Sequence, residues 1–243
     1  MVNEIRNGIV CFDNDPGKYE SFSNWFRAPF TYAGRNYSSI ETYMMIQKVE
    51  LFDEYGLAEL IAEKDDAAEA KKIGRTPMAK FNPQLWSKVG YNVVKRGVRA
   101  KFQQYPKYAE VLLNTGECII AECNANDPIW GIAIGLHDES RFDISCWNGS
   151  NQLGRILMEV REELKMYPDY VDMNQVETEK WNESPARLVR IPKYMNAVLT
   201  YADTLDEEQE KVFYGLPSFE LAEGLPKAGF AEMKQEILDI SRR

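Results

Sequence analysis

Ser38-Ser39-Ile40-Glu41-Thr42-Tyr43-Met44-Met45-Ile46-Gln47-Lys48 is the stretch on which the reading of this 243-residue chain turns. Ahead of it, the arms Phe30-Thr31-Tyr32 and Arg35-Asn36-Tyr37 predict a hairpin that turns at Ala33-Gly34. A helix is then expected from near Ser39 to about Asp53. Glu41 and Lys48 stand seven residues apart, which on a helix leaves them about 20° from eclipsed. Met45 and Phe52 share their face, so two opposite charges lie along a stripe that otherwise reads as buried. Buried charges are costly unless paired or hydrogen-bonded. Ser38-x-x-Glu41 also fits a capping box, which by itself accounts for both residues at a helix start. Lys48 has only the general licence of a lysine to snorkel along its own stem.

Working outward, Gly8-Ile9-Val10-Cys11-Phe12 reads as a short strand closed by the turn cluster Asp13-Asn14-Asp15-Pro16-Gly17. Helices are expected at roughly 55–64, 66–73 and, led by Pro83, 84–104, with a strand at Cys118-Ile119-Ile120-Ala121-Glu122. A last helix opens near Ser150. Its Leu153, Ile156, Leu157, Val160 and Leu164 form one apolar stripe, and Pro168 ends it. Few strands and many helices predict an α+β fold: a helix-rich single domain around a small β-sheet, over residues 1–165. Residues 166–243 form an acidic extension with 15 acidic against 9 basic residues, and helical stretches near 193–202, 205–213 and 227–241. Its role is unassigned by sequence, but it carries enough apolar residues to fold or dock.

A net charge of −9 argues against a sequence-blind nucleic-acid coat, which needs excess Lys and Arg to release counterions. With most of the acidity in the extension, the first domain remains free to bind anions. Four cysteines without a C-x-x-C pair, and His137 as the single histidine, predict neither a disulfide framework nor a metal site, and no cofactor is expected. There is no apolar run near 18 residues and no leader pattern, so a cytoplasmic protein without a membrane partner is expected.

Three further groups carry candidate chemistry. Asn126-Asp127-Pro128-Ile129-Trp130-Gly131 sets an acid and an indole on one loop, although Asp-Pro is also an ordinary helix opening. Trp147-Asn148-Gly149-Ser150-Asn151-Gln152-Leu153-Gly154 leads into the last helix, where free N–H groups suit an anion and where Ser or Asn is equally an ordinary cap. Among the basic residues Lys71, Lys72, Arg75, Lys80, Lys88, Lys95, Arg96, Arg99 and Lys101, most are expected to face solvent. Gly74-Arg75 differs, because a glycine at a helix end throws the guanidinium beyond it. Trp86 by itself reads as core.

In order, these pieces resemble the NADAR (YbiA-like) N-glycosidase family. The similarity runs over about residues 8–165. It is carried by Ser23-Asn24-Trp25, Tyr37-Ser38-Ser39-Ile40-Glu41 through Lys48, Ala70-Lys71-Lys72-Ile73-Gly74-Arg75, Trp86, Ala100-Lys101-Phe102-Gln103, Leu112-Leu113-Asn114-Thr115-Gly116, Asn126-Asp127 with Trp130-Gly131, and Asn151-Gln152-Leu153-Gly154 with Leu157-Met158-Glu159-Val160-Arg161. The resemblance implies hydrolysis of a ribose–nitrogen bond. The substrate is then either a phosphoribosylamino-pyrimidine intermediate of riboflavin synthesis or an ADP-ribosyl-guanine in DNA. A cationic, oxocarbenium-like sugar then needs a carboxylate, for which Glu41 is the candidate, with Asp127 as second acid. Lys48 pairs with Glu41 or attacks the sugar as an amine. Trp86 and Trp130, the latter beside Gly131, would stack on the base. Asn24 and Asn151 would hold ribose hydroxyls, and Arg75 with Lys71 or Lys80 would hold phosphate. The alternative is a non-catalytic module that binds ADP-ribose or NAD, against which the joint presence of Glu41 and Lys48 speaks. One departure from the family pattern is the longer loop from Ile132 to Trp147, expected to reshape the leaving-base side.

Overall fold

The computed structural model describes residues 5–166 and, beyond them, 197, 198, 200–206, 209, 210, 213, 227–240 and 242. It is an α+β fold. Strands β1 (Ile5–Arg6), β2 (Ile9–Phe12) and β5 (Ile119–Glu122) form one sheet in the order β1-β2-β5. Strands β3 (Phe30–Tyr32) and β4 (Arg35–Tyr37) form the expected hairpin. Its turn is tight because Ala33 and Gly34 both take positive φ, 49° and 76°. β2 and β5 run parallel with Cys11 opposite Ala121, so a long crossover that carries the β3–β4 hairpin and five helices joins them.

Those helices are α1 (Ile40–Leu51), α2 (Tyr55–Ala62), α3 (Ala67–Gly74), α4 (Pro83–Gln104) and α5 (Pro106–Leu113). α6 (Gln152–Met166) and α7 (Lys227–Ile240) follow β5. α5 lies outside the expected helices; it opens on Pro106, where a proline in the first turn needs no N–H partner. Of the helices expected in the extension, α7 is present; of the stretches near 193–202 and 205–213 only part is described, and there residues 197, 198, 200–202, 209, 210 and 213 are helical.

Alternation along β2 and β5 sorts the core. Val10, Phe12 and Ile120 face α1, α4 and α6, together with Ile40, Tyr43, Val94, Phe102 and Leu157. On the other face Ile9, Cys11, Ala121 and Cys123 pack against Ile132, Ile134, Leu136 and Phe142. The long loop after Gly131 therefore covers the back of the sheet.

The basic residues of α4 depart from the expectation of solvent exposure. Lys95, Arg96, Arg99 and Lys101 are all buried. Arg99 grips Glu163 with two bonds of 2.7 Å, and Lys95 reaches Glu159 at 2.8 Å and Glu163 at 3.0 Å, which locks α4 to α6. Lys101 instead donates to two backbone carbonyls, Ser21 at 2.7 Å and Ser23 at 3.3 Å. Among the described residues no helix is long and apolar enough to cross a membrane.

Candidate functional site

The capping box predicted at the start of α1 is shifted by one residue. Ser39, not Ser38, is the N-cap, and its hydroxyl accepts the Thr42 N–H at 3.1 Å. Glu41 therefore does not serve as the capping acid. Its backbone N–H is taken by the Asn24 carbonyl at 2.8 Å, and its side chain is buried with Oε1 lacking a hydrogen-bond partner. A carboxyl that is 2% exposed and incompletely satisfied costs stability unless it serves something else.

Glu41 lies in the wall of a cleft of about 220 Å³, shared with Met44, Met45, Lys48, Lys71, Arg75, Trp86 and the segment 126–130. α1, α3 and the loop around Asp127 supply its charged groups. α1 supplies Glu41 and, two turns later, Lys48. α3 supplies Lys71, whose Nζ stands 4.0 Å from Glu41 Oε1 and 5.1 Å from the centre of the Trp25 ring, and Arg75 follows at its exposed C-cap. α3 comes this close to α1 because Gly74 lies on Met45: a Cβ there would fall 2.4 Å from the sulfur. The Gly74 carbonyl accepts Lys48 Nζ at 3.1 Å, and that ammonium also stands 4.8 Å over the Phe81 ring.

Burial pushes the Glu41 carboxyl up to about 7; Lys71 and Arg75 oppose the rise, Asp127 adds to it, and a hydrogen bond from Trp25 lowers it. Burial holds Lys48 below the usual lysine range, Arg75 adds to that, and Glu41 opposes it. The two groups are thus displaced in the directions an acid–base pair near neutrality requires.

Asp127 opens no helix. Its Oδ1 accepts the N–H groups of Ile129 at 3.0 Å and Trp130 at 2.8 Å, folding the loop so that the segment 126–130 forms one wall. Gly131 lies behind this wall rather than in it. A Cβ there would meet the Glu122 carbonyl at 2.9 Å and that of Asp127 at 3.1 Å. Asn24 is buried next to Glu41 in the chain's packing, with Oδ1 unpartnered, but does not line the cleft.

Two expected binders lie elsewhere. Lys80 pairs with Asp53 at 2.9 Å and lines a separate surface depression formed by residues 79–84. Asn151 is spent on the sheet: Oδ1 accepts the Glu122 N–H at 3.1 Å and Nδ2 donates to the Ile120 carbonyl at 2.8 Å, tying α6 to β5. The N–H groups of Ser150, Asn151, Gln152 and Leu153 are also taken, by the carbonyls of Pro128, Gly131, Ile129 and Trp130. The 128–131 loop thus takes the N–H groups of residues 150–153, which are not left for an anion as the sequence suggested.

Sequence reasoning passed over Glu122. It closes the apolar strand β5, is 8% exposed, and leaves Oε2 without a partner. Burial pushes it up to about 8; Asp127 and Glu41 add to the rise and Lys71 opposes it, so it belongs to the same electrostatic cluster. The available signal was a glutamate ending an otherwise apolar strand. Among the described residues no three of His, Cys, Asp and Glu are grouped to hold a metal ion.

Lys101 supports this arrangement from behind. By gripping the Ser21 and Ser23 carbonyls it fixes the turn that carries Asn24 and Trp25, and Asn24 in turn receives the Glu41 N–H. Lys101→Met should keep the fold yet cost about tenfold to hundredfold in the activity proposed below, through small displacement of Trp25 and Glu41. Turnover measured beside a thermal melt tests this, and unchanged turnover in a folded variant would show that the turn holds itself.

The NADAR domain profile matches residues 11–165. N-glycosidase R617 of Acanthamoeba polyphaga mimivirus is 36% identical over 147 residues, covering 58% of this chain and 86% of that protein. The riboflavin biosynthesis protein VVA0006 of Vibrio vulnificus is 30% identical over 174 residues, covering 70% of this chain but 43% of that protein. N-glycosidase YbiA of Escherichia coli K12 is 29% identical over 160 residues, covering 66% of this chain and 91% of that protein. The NMR structure of E. coli YbiA superposes with a TM-score of 0.55 at 27% identity, over 70% of this chain and 94% of that one.

Proposed function

The chain belongs to the NADAR domain family, and from that premise we propose an N-glycosidase that hydrolyses the bond between a phosphorylated ribose and a base nitrogen. The observation that carries the reading is Glu41: a buried, incompletely satisfied carboxyl poised near neutrality, facing a cleft with aromatic walls and a cationic rim. Departure of the base leaves positive charge on the sugar ring, and Glu41 as carboxylate stabilises that charge at C1. Lys71, 4.0 Å away, keeps part of the Glu41 population ionised. Trp86 and Trp130 offer flat faces for the base, and Arg75, exposed at the mouth, suits the phosphate as a planar fork. Burial pushes Glu122 up to about 8, which favours its protonated form near neutral pH and keeps negative charge away from Glu41.

Two relatives are named N-glycosidases and a third a riboflavin biosynthesis protein, which supports the phosphoribosylamino-pyrimidine intermediates as one substrate class. ADP-ribosyl-guanine in DNA presents the same ribose–nitrogen bond and is the second. Incubation with each substrate, followed by chromatography, separates them. Release of sugar phosphate is expected from the first or ADP-ribose from the second. Tight ADP-ribose binding with cleavage of neither would replace the enzyme by a binding module.

A further inference from the structure

The structure assigns a role to the extension beyond the family domain: we propose that it is the backing of the cleft wall formed by Trp86 and Lys48. This rests on the reading of that cleft as the substrate site. The described residues of the extension are not a separate body. Ala197, Val198, Tyr201, Ala202, Phe213 and Ile237 form one buried cluster with Leu51 and Phe52 at the end of α1 and with Leu85 and Val89 on α4.

Two lines lead from this cluster to the cleft. Trp86, on the first turn of α4, is packed against it and lines the cleft. The inner side of its indole is fixed by Gly90, where a Cβ would stand 3.1 Å from the ring. Phe52 meets Phe81 edge to face at 5.1 Å, and Phe81 is the ring beneath the Lys48 ammonium at 4.8 Å. Phe213 is fully buried and touches Tyr201 ring to ring at 5.4 Å, so the buried apolar residues described in the extension go into this contact. Lys88, half a turn past Trp86, holds the register through Asp203 at 3.1 Å and Glu210 at 3.4 Å. The acidity of the extension thus meets a cation of the domain.

Stability alone does not require these contacts to converge on a cleft wall. Their placement means that the extension sets how far Trp86 leans into the cleft and how Phe81 seats the Lys48 ammonium, and therefore how a base is gripped.

The test uses the full chain carrying Phe213→Ala, with Trp86 emission isolated by subtracting the matching Trp86→Phe protein. Acrylamide quenching of Trp86 should rise about twofold as its backing loosens. ADP-ribose affinity at 20 °C should fall about tenfold through misplacement of the wall. Lys88→Glu, which touches no apolar contact, should move both readouts in the same direction, and adding Asp203→Lys with Glu210→Lys should restore them; these variants also decide the matter if Phe213→Ala fails to fold. A lower melting temperature with quenching and affinity unchanged would make the extension a stabiliser only and overturn the inference. If ADP-ribose binds neither protein, the ADP-ribosyl branch of the substrate reading fails, while the quenching still decides whether the extension backs Trp86.

Discussion

Glu41→Gln should lose at least about a hundredfold in turnover while becoming the more stable protein above neutral pH. The two effects share one cause. In the folded state the carboxyl is pushed up to about 7 from an ordinary value of 4.5, chiefly by burial. Between those values the folded protein holds a proton that the unfolded chain has released, so wild-type stability falls as pH rises through this window. Below the window both states are protonated and the glutamine changes little. Above it the wild type carries a buried, incompletely satisfied charge that the neutral amide does not. The gain at pH 8 is on the order of 1–3 kcal/mol and should vanish near pH 4. Thermal melts at the two pH values, run beside turnover, check both halves. Loss of activity without the alkaline gain would make Glu41 an ordinary structural acid held by Lys71. Near-normal turnover would remove it from the chemistry.

This coupling also explains which parts of the molecule are legible in the sequence. Local signals held: Ala33-Gly34 fixes its hairpin because both residues must take positive φ, and the stripe of α6 fixes its buried face. The pairing of β2 with β5 is not local, and neither are the partners of the α4 cations. Lys95 and Arg99 read as surface residues until Glu159 and Glu163 arrive from α6, some sixty residues on. Lys101 reads the same way until the Ser21 carbonyl arrives from eighty residues back. At the site, Glu41 and Lys48 declared themselves as charges on an apolar stripe. The capping box drawn around Glu41 was one residue out of register: either serine can cap a helix, Ser38 alone has an acid three residues on, and backbone geometry nonetheless selects Ser39. Asp127 and Asn151 look alike in sequence, as short polar residues before an apolar run. The first folds the loop of the cleft wall, and the second is consumed by the edge of β5. Glu122 was hidden because one acid at a strand end carries no periodic signal.

Lys48→Met should match the Glu41 loss, falling about a hundredfold or more in turnover, if its amine bonds to the sugar. The environment favours an amine over an ammonium more than an exposed lysine would: burial and the nearby Arg75 both lower its proton affinity, with Glu41 opposing. The Gly74 carbonyl aims Nζ from behind, at 3.1 Å, and leaves its other bonding positions available. As the bond from C1 to the base nitrogen breaks, that nitrogen keeps the electron pair and takes a proton. Nζ then bonds to C1 and loses a proton to the Glu41 carboxylate; the C1–O4 bond opens with its electron pair staying on O4, which takes that proton back from Glu41, and a protonated imine remains. Water returns C1 to the aldehyde and frees the lysine. Borohydride added during turnover reduces the imine to a secondary amine, so peptide mass analysis should find the sugar phosphate on Lys48 in the wild type and nowhere in Lys48→Met. Lys48→Arg separates the two roles of the residue, since it keeps a positive charge beside Glu41 but offers no nucleophile at neutral pH. An arginine variant as slow as the methionine one, together with a trapped adduct, establishes the covalent route. An arginine variant that keeps most of the activity, with no adduct in the wild type, would reduce Lys48 to an electrostatic partner and leave Glu41 to activate water directly.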